Sequence, residues 1–274
     1  MSLKLDLGMD ILSHTCSGLA IGATAMHFSN KGLKHKFLIV FVSGIAAFFP
    51  DLDVISHWSG FDSTFGEWFD LKESGVNIYH QKRWYSHHGL FHSLLMATIF
   101  LAFCALYGVF FKGWKTWKKG LKGNVPFYIG VFLSYLVHLF EDMPTPDFVW
   151  GGVAFMFPSI NYWGGTGYIW WWNNYDLFLI IFITFFVVLF LALIGSLIRT
   201  SMKWTALSVL LMATCLYFYQ MTHRNYDFNY TGFSGHHTKW LENEEKSKKI
   251  QKEILGDDLY LMMQRLDNSI PIWF

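Results

Sequence analysis

The amino-acid sequence predicts an all-α integral membrane protein with about six transmembrane or re-entrant helices, and three observations support this fold class. First, 53% of the residues are hydrophobic and only 15% are charged, whereas an ordinary soluble domain has about 25% charged residues. Second, apolar runs recur along the chain at lengths that suit membrane helices. Third, basic and acidic residues are separated between successive loops.

Six apolar runs define the predicted helices: 10–28, 37–49, 90–111, 126–140, 176–198 and 204–221. The third, fifth and sixth runs reach or approach about 18 residues, the length that a membrane span requires. Each of the other three is either a span or a re-entrant or protein-buried helix. The chain thus divides into a membrane-embedded domain that carries the candidate site, 1–221, and a polar, partly helical C-terminal tail, 222–274.

Charge assigns a side to each loop. With six spans, none of the 20 acidic residues lies in the loops that collect the basic residues, which are Lys31, Lys34, Lys36, Lys112, Lys115, Lys118, Lys119, Lys122, Arg199 and Lys203. The positive-inside tendency places these loops in the cytoplasm and both termini outside. Because the basic loops are short and the net charge is only +1, the pattern argues against a nucleic-acid partner.

The first run carries a histidine and two glycines on a predicted helix. His14 lies one turn after the start, and Gly18 and Gly22 have the GxxxG spacing that allows close helix packing. A single histidine there is either a hydrogen-bonded core residue or a functional group, because a polar side chain within a membrane is costly. The residues alone leave both interpretations open.

The second run ends in the segment FPDLDV. Asp51 and Asp53 are separated by one residue, so both reach one cation only if the helix ends there. Pro50 allows the chain to turn at that point. The alternative is an ordinary acidic start of a loop.

The segment WYSHHGLFHSLL places His87, His88 and His92 at the mouth of the third run. We expect His88 and His92 to lie one helical turn apart, with Ser86 as the N-cap of the helix. Three histidines within six residues at a membrane edge are hard to explain by packing. This segment therefore favours metal ligation.

The segment YLVHLFEDMPTPD joins an apolar helix to a histidine and a carboxylate. His138 and Asp142 are four residues apart, so they lie on one face of a helix. Pro144 and Pro146 would end the helix just beyond them. Two such groups directed at one point suit a metal site, whereas a helix C-terminus with a solvated aspartate is the alternative.

Two long outer loops and three further histidines lie outside the segments described above. The loop 54–86 is expected to cover the site, and the tryptophan-rich loop 143–175 is typical of an interfacial aromatic belt. His223, His236 and His237 precede the charged part of the tail. They either join the site or belong to a solvated loop.

With six spans, the four helix ends that carry these histidines and aspartates fall on the same outer face. The sequence therefore predicts an outward-facing metal site on the periplasmic or extracellular side. Histidine nitrogens combined with carboxylate oxygens suit Zn²⁺, or Mn²⁺ or Fe²⁺ if the carboxylates dominate. We expect a centre of one to three ions.

Four segments together, DILSH, FPDLDV, HHGLFHSLL and HLFEDMPT, resemble the YdjM-type family of membrane-bound metal-dependent hydrolases. The family pattern is D-x-x-x-H, P-D-x-D, H-R-G-x-T-H-S and H-x-x-x-D-x-x-T. The resemblance covers residues 9–160 and implies a bacterial inner-membrane location. It implies metal roles for His14, Asp51, Asp53, His87, His92, His138 and Asp142. The chain departs from the pattern at His88, where the family has arginine, and at Phe91, where it has threonine.

The expected function follows from these residues and resemblances. The order His, Asp, His, HxxxD is also similar to that of zinc-dependent phospholipase C and related zinc nucleases, which cleave phosphoesters. We expect a hydrolase that cleaves a phosphoester or ester of a membrane lipid or lipid-linked substrate with a metal-activated water. Asp51, Asp53 and His88 are the candidates for catalytic roles. A non-catalytic metal-binding membrane protein or a metal-ion transporter is the alternative.

The predicted orientation can be tested by thiol labelling of intact cells. Cysteines placed at Asp62 and Lys239 should react with an impermeant reagent added outside, whereas a cysteine at Lys118 should not, because only the first two are predicted to lie outside. Labelling is read by mass spectrometry of the purified protein. The reverse pattern would place the site in the cytoplasm.

Overall fold

A computed structural model describes residues 8–112, 123–144, 152–165 and 175–223, together with positions 249, 252–253, 256–258, 260–262 and 265. The described residues are mostly helical and contain no strand. They include one isolated β-bridge, between Val153 and Trp163. The predicted all-α class is therefore confirmed for this part of the chain.

Six long helices and one short helix follow one another along the described chain: α1 Gly8–Met26, α2 Leu33–Phe48, α3 Gly75–Tyr79, α4 Leu94–Lys112, α5 Val125–Asp142, α6 Tyr175–Leu197 and α7 Lys203–His223. Each long helix overlaps one of the predicted apolar runs. The short helix α3 lies in the loop between the second and third runs. A 3-10 helix over Phe49–His57 follows α2 directly and carries Asp51 and Asp53, and a short π-helix over Asp62–Gly66 lies further along the loop.

Three described segments are long and apolar enough to cross a membrane: Leu33–His57, Asp176–Leu197 and Lys203–His223. Ile11–Met26 and Leu94–Leu106 are apolar but shorter. The helical membrane class is thereby supported, whereas the total of six spans and the outward orientation of the site stay predictions. Little of α6 or α7 is buried within the protein, so both helices present apolar side chains to the surrounding lipid.

The centre of the bundle is formed by α1, α2 and α5. Ala23, Ile39 and Val40 pack with residues of α6 and α7 in one buried cluster. Val131 and Leu139 of α5 belong to a second cluster, which also includes residues of α2 and α4. Because these helices are in close contact, the ends that carry the candidate site residues are brought together.

The close contact between α1 and α2 depends on small residues. A Cβ atom added at Gly18 would lie 2.5 Å from the Cβ of Ala47 and 2.5 Å from the carbonyl oxygen of Ser43. A Cβ atom at Gly22 would lie 2.6 Å from the Cβ of Ser43. The GxxxG spacing therefore marks the α1–α2 interface, as the sequence predicted.

Some predictions fall on residues outside the described ranges. They concern the lysine-rich loop 113–122, the tryptophans Trp150, Trp170, Trp171 and Trp172, and the tail histidines His236 and His237. The described positions of the tail are helical. The proposed boundary between the membrane domain and the tail stays a prediction.

Replacing Gly18 by alanine should destabilise the bundle, because the new methyl group would meet the backbone oxygen of Ser43, which cannot move aside without moving α2. The cost should be about 1–3 kcal/mol, as for other overpacked sites. Gly32→Ala is the matched control, since nothing lies within 4 Å of a Cβ there. Thermal unfolding in detergent should distinguish the two variants, and equal stabilities would contradict the packing argument.

Candidate metal centre

His138 and Asp142 lie near the end of α5, and their side chains are in contact. His138 Nε2 is 3.0 Å from Asp142 Oδ2, so the predicted pairing across one helical turn is present. On the other side of the ring, His138 Nδ1 donates to the carbonyl oxygen of Ala47 on α2, at 2.6 Å. Because a carbonyl oxygen can only accept, the proton belongs on Nδ1, and Nε2 presents a lone pair.

His92 reaches the same place from the start of α4. Its Nε2 lies 3.1 Å from His138 Nε2 and 3.3 Å from Asp142 Oδ2. Its Nδ1 lies 3.2 Å from Asp53 Oδ2, which favours a proton on Nδ1 and again a lone pair on Nε2. Both imidazoles are fully buried.

Asp51 completes a group of four at the end of α2. Its Oδ1 lies 3.7 Å from His92 Nε2 and 3.6 Å from His138 Nε2. With Asp142 Oδ2 included, each of the two histidine nitrogens lies 3.0–3.7 Å from the other and from both carboxylate oxygens. Ligands placed tetrahedrally at about 2.0–2.1 Å from zinc are separated by about 3.3 Å. The distances from the two histidine nitrogens are therefore compatible with ligands of one tetrahedral ion.

The charges in this group would be compensated by a cation. Two histidine lone pairs and two carboxylate oxygens face one another within a buried space. Without a positive charge among them, these acceptors would repel one another at low dielectric. A metal ion or additional protons on the histidines would each remove the repulsion.

His14 brings α1 into the cluster. His14 Nε2 lies 3.3 Å from Asp142 Oδ1, and its ring centroid is 4.0 Å from that of His138. These three residues form a second group whose donor atoms could hold an ion. Asp142 thus presents one oxygen to each group, an arrangement that would allow it to bridge two ions.

Glu141 has a position that sequence reasoning missed. His14 Nδ1 donates to Glu141 Oε2 at 2.7 Å, and the hydroxyl of Ser17 donates to Glu141 Oε1. A carboxylate in this place orients a ligating histidine and raises its basicity. The signal available in the sequence was a second acidic residue beside Asp142, at the end of an otherwise apolar helix.

A third group consists of His87, His88 and His92. His87 Nδ1 donates to Asp53 Oδ1 at 2.8 Å, and His88 Nδ1 donates to the carbonyl oxygen of Gly152 at 2.7 Å. His88 Nε2 lies 3.8 Å from Asp142 Oδ2. Burial, together with the neighbouring His87, holds the pKa of His88 well below its usual range, so its imidazole is neutral.

The local backbone around these histidines differs from the prediction. We expected His88 and His92 to lie one turn apart on a helix capped by Ser86, and this is wrong. His88 has a φ of 62°, α4 begins only at Leu94, and Ser93 Oγ accepts from Met96 N at 3.1 Å as the actual cap. The chain turns tightly at Gly89, where a Cβ would lie 2.6 Å from two carbonyl oxygens. The turn brings the histidines together without a helix.

Loop residues close one side of the cluster. Tyr79 of α3 stacks on His87, with ring centroids 4.4 Å apart and planes 12° apart. The loop 54–86 therefore covers part of the site, as predicted. His223 lies at the end of α7, exposed and stacked on Tyr219, so the structure does not bring it into the cluster.

Seven of the described side chains that the sequence selected as metal ligands meet in one place, together with His88 and Glu141. The fold and this cluster define a helical membrane protein with a buried histidine–carboxylate centre that could hold metal ions. The model of the YdjM inner membrane protein family matches residues 9–226, and the chain belongs to this family. No curated protein and no solved structure matches the chain.

The cluster predicts which variants lose metal. His92→Ala and His138→Ala should each remove most of the bound metal, although these residues are 46 positions apart, because each deletes a nitrogen that no neighbour can replace. Asp142→Ala should do the same. Elemental analysis of the purified variants gives the metal content.

The control and an intermediate variant belong to the same experiment. His27→Ala and His35→Ala should keep the metal of the unmodified protein, since both lie outside the cluster; His27 contacts the carbonyl oxygen of Val188 instead. Glu141→Gln should lower metal affinity about 10–100-fold without abolishing binding. Full metal content in both the His92 and His138 variants would rule out the proposed centre.

Proposed function

We propose that this protein is a membrane-bound metal-dependent hydrolase that cleaves a phosphoester or ester of a lipid or lipid-linked substrate. The observation that carries the proposal is the group formed by His92, His138, Asp51 and Asp142, in which each histidine nitrogen lies within 3.7 Å of both carboxylate oxygens, a distance that suits ligands of one ion. Zn²⁺ fits this donor set best, and Mn²⁺ or Fe²⁺ are the alternatives because half of the donors are carboxylates.

More than one ion is consistent with the donors. His92, His138, Asp51 and Asp142 would hold the first ion. His14 with the other oxygen of Asp142 would contribute to a second, and His87 to a third. When bound, such ions lower the pKa of a water molecule and polarise the bond that is cleaved.

The remaining side chains have roles in positioning and proton transfer. Asp53 accepts from His87 through Oδ1 at 2.8 Å, and its Oδ2 lies 3.2 Å from His92 Nδ1, so it would help to orient both rings. His88 donates from Nδ1 to Gly152, which leaves Nε2 able to accept a proton from water. Asp51 is the second candidate for the proton acceptor. Hydrolysis then adds hydroxide to phosphorus or the acyl carbon and a proton to the leaving oxygen.

A lipid substrate is supported by the surroundings of the cluster. The donors lie at the ends of apolar helices, and Asp51 and Asp53 belong to a segment long and apolar enough to span a membrane. A bond at the boundary between lipid headgroup and acyl chain would be close to such helix ends. The inner-membrane family also supports this location, and we place the site on the periplasmic side from the charge pattern.

The competing hypothesis is a metal carrier without catalysis. A transporter typically binds its ion near the middle of the membrane, between discontinuous helices with access from both sides. In the part of the chain that the structure describes, α6 and α7 contribute no side chain to the three donor groups, and all donors come from one end of α1, α2, α4 and α5 or from adjoining loops. This one-ended arrangement favours hydrolysis.

Incubation of the purified protein with a total lipid extract tests the proposal. Mass spectrometry should detect a new lipid product that is absent after treatment with a chelator and restored by added Zn²⁺, because the reaction requires the metal. His138→Ala should give no product, whereas His35→Ala should be active. If no lipid changes mass under any of these conditions, the non-catalytic hypothesis is favoured.

A further inference from the structure

A groove leads from the metal cluster into the bundle. It lies between α1, α5, α6 and α7 and has a volume of about 280 Å³. Ser17 and Glu141 line one end, and aliphatic and aromatic side chains form most of the rest. Sites for small ligands have volumes from about 300 Å³ and are likewise mostly apolar with a few polar groups.

The spacing of the lining residues shows the direction of the groove. On α1, His14 lies in the cluster, Ser17 at the end of the groove and Ile21 within it, so one helix face carries all three. At 1.5 Å per residue, Ile21 lies about 10 Å further along the axis than His14. On α5, Glu141 and Leu133 are separated by about 12 Å in the same way.

The hydroxyl groups of the lining have partners in the protein. Ser17 donates to Glu141, Thr184 Oγ1 donates to the carbonyl oxygen of Ile180 at 2.6 Å, and Thr214 Oγ1 donates to that of Leu210 at 2.9 Å. A polar ligand would lose its hydration in this groove and gain little in return. A hydrocarbon chain would lose nothing.

The walls of the groove indicate which hydrocarbon chain is available. Two of its four walls are α6 and α7, which are long and apolar enough to span a membrane and are little buried within the protein. Acyl chains of the bilayer therefore surround them. Tyr79 stacks on His87, whereas the groove begins at Ser17 and Glu141, so loop and groove contact different residues of the cluster.

We propose that this groove binds one acyl chain of the lipid whose phosphoester or ester is cleaved at the metal cluster. The inference rests on the proposed function and adds to it the position and class of the substrate. The Glu141 carboxylate, held by His14 and Ser17, separates the chain from the cluster. The bond presented to the metal is therefore one close to the headgroup end of the acyl chain.

Photolabelling with a lipid tests the groove directly. The full-length protein is reconstituted in vesicles of phosphatidylethanolamine and phosphatidylglycerol, with some phosphatidylethanolamine carrying a diazirine in the middle of one acyl chain. After irradiation, mass spectrometry should find label concentrated on groove residues such as Leu136, Phe140 and Tyr217. Ala213→Trp should lower this labelling about tenfold, the loss expected when about two buried methylene groups are displaced.

Matched tryptophan variants distinguish blocking of the groove from a general effect of a bulky residue on α7. Met212→Trp lies on the same helix, with 72% of the residue exposed, and should leave the labelling unchanged. Thr214→Trp narrows the exposed rim of the groove and should also lower it, which provides a second variant if Ala213→Trp does not fold. Metal content should be unchanged in all three, because none of them touches the cluster.

The outcomes distinguish this inference from the proposed function, since labelling needs no turnover. If the groove is labelled but the protein hydrolyses no lipid, binding of an acyl chain in the groove is supported and the proposed hydrolase activity is rejected. Label spread evenly over α6 and α7, unchanged by Ala213→Trp, would overturn the groove even if lipid is hydrolysed. If other lipid-facing residues are labelled but the groove residues are not, another segment or a second copy of the chain covers the groove. This outcome also overturns the proposal.

Discussion

The contacts of the Asp142 carboxylate connect the parts of this structure on which its chemistry depends. One oxygen lies beside His92 and His138, and the other lies beside His14. Three helix ends therefore meet at one buried negative group. Such a group is stable only if positive charge or several donors surround it, so the packing of the histidines around it and any bound cation would both satisfy the same constraint.

Hydrogen bonds to backbone carbonyl groups and carboxylates orient the imidazole rings of this cluster. Ala47 and Gly152 accept from His138 and His88, and carboxylates accept from the Nδ1 atoms of His14 and His87. These hydrogen bonds fix the orientation of four of the imidazoles through their Nδ1 atoms. The cluster is thus preorganised by hydrogen bonds that lie outside it, including those made by Glu141.

The groove and the loop contact different residues of the cluster. The groove between α1, α5, α6 and α7 is apolar and continues directly from Glu141, whereas Tyr79 covers the side of His87. In this arrangement, the acyl chain would determine the position of the substrate, and the histidines and aspartates would act on the polar bond next to it. In the proposed hydrolase, the groove would therefore recognise the lipid and the cluster would cleave it.

The sequence by itself determined the helical membrane class, the locations of the long helices and nearly all residues of the cluster. It could do so because long apolar runs have few alternatives to helices in a membrane, and because buried histidines and aspartates need a functional reason. His138 and Asp142 were paired correctly since both lie on one regular helix, where spacing alone fixes proximity.

Only the tertiary structure decided how the other residues meet. His88 and His92 are brought together by a tight turn at Gly89 and a left-handed residue rather than by a helix, and periodicity carries no information about such a turn. Glu141 and Ser17 are 124 positions apart, so their contact depends on the packing of α1 against α5. The groove likewise exists only between helices, because it is a property of the gaps that four separate faces leave when they pack.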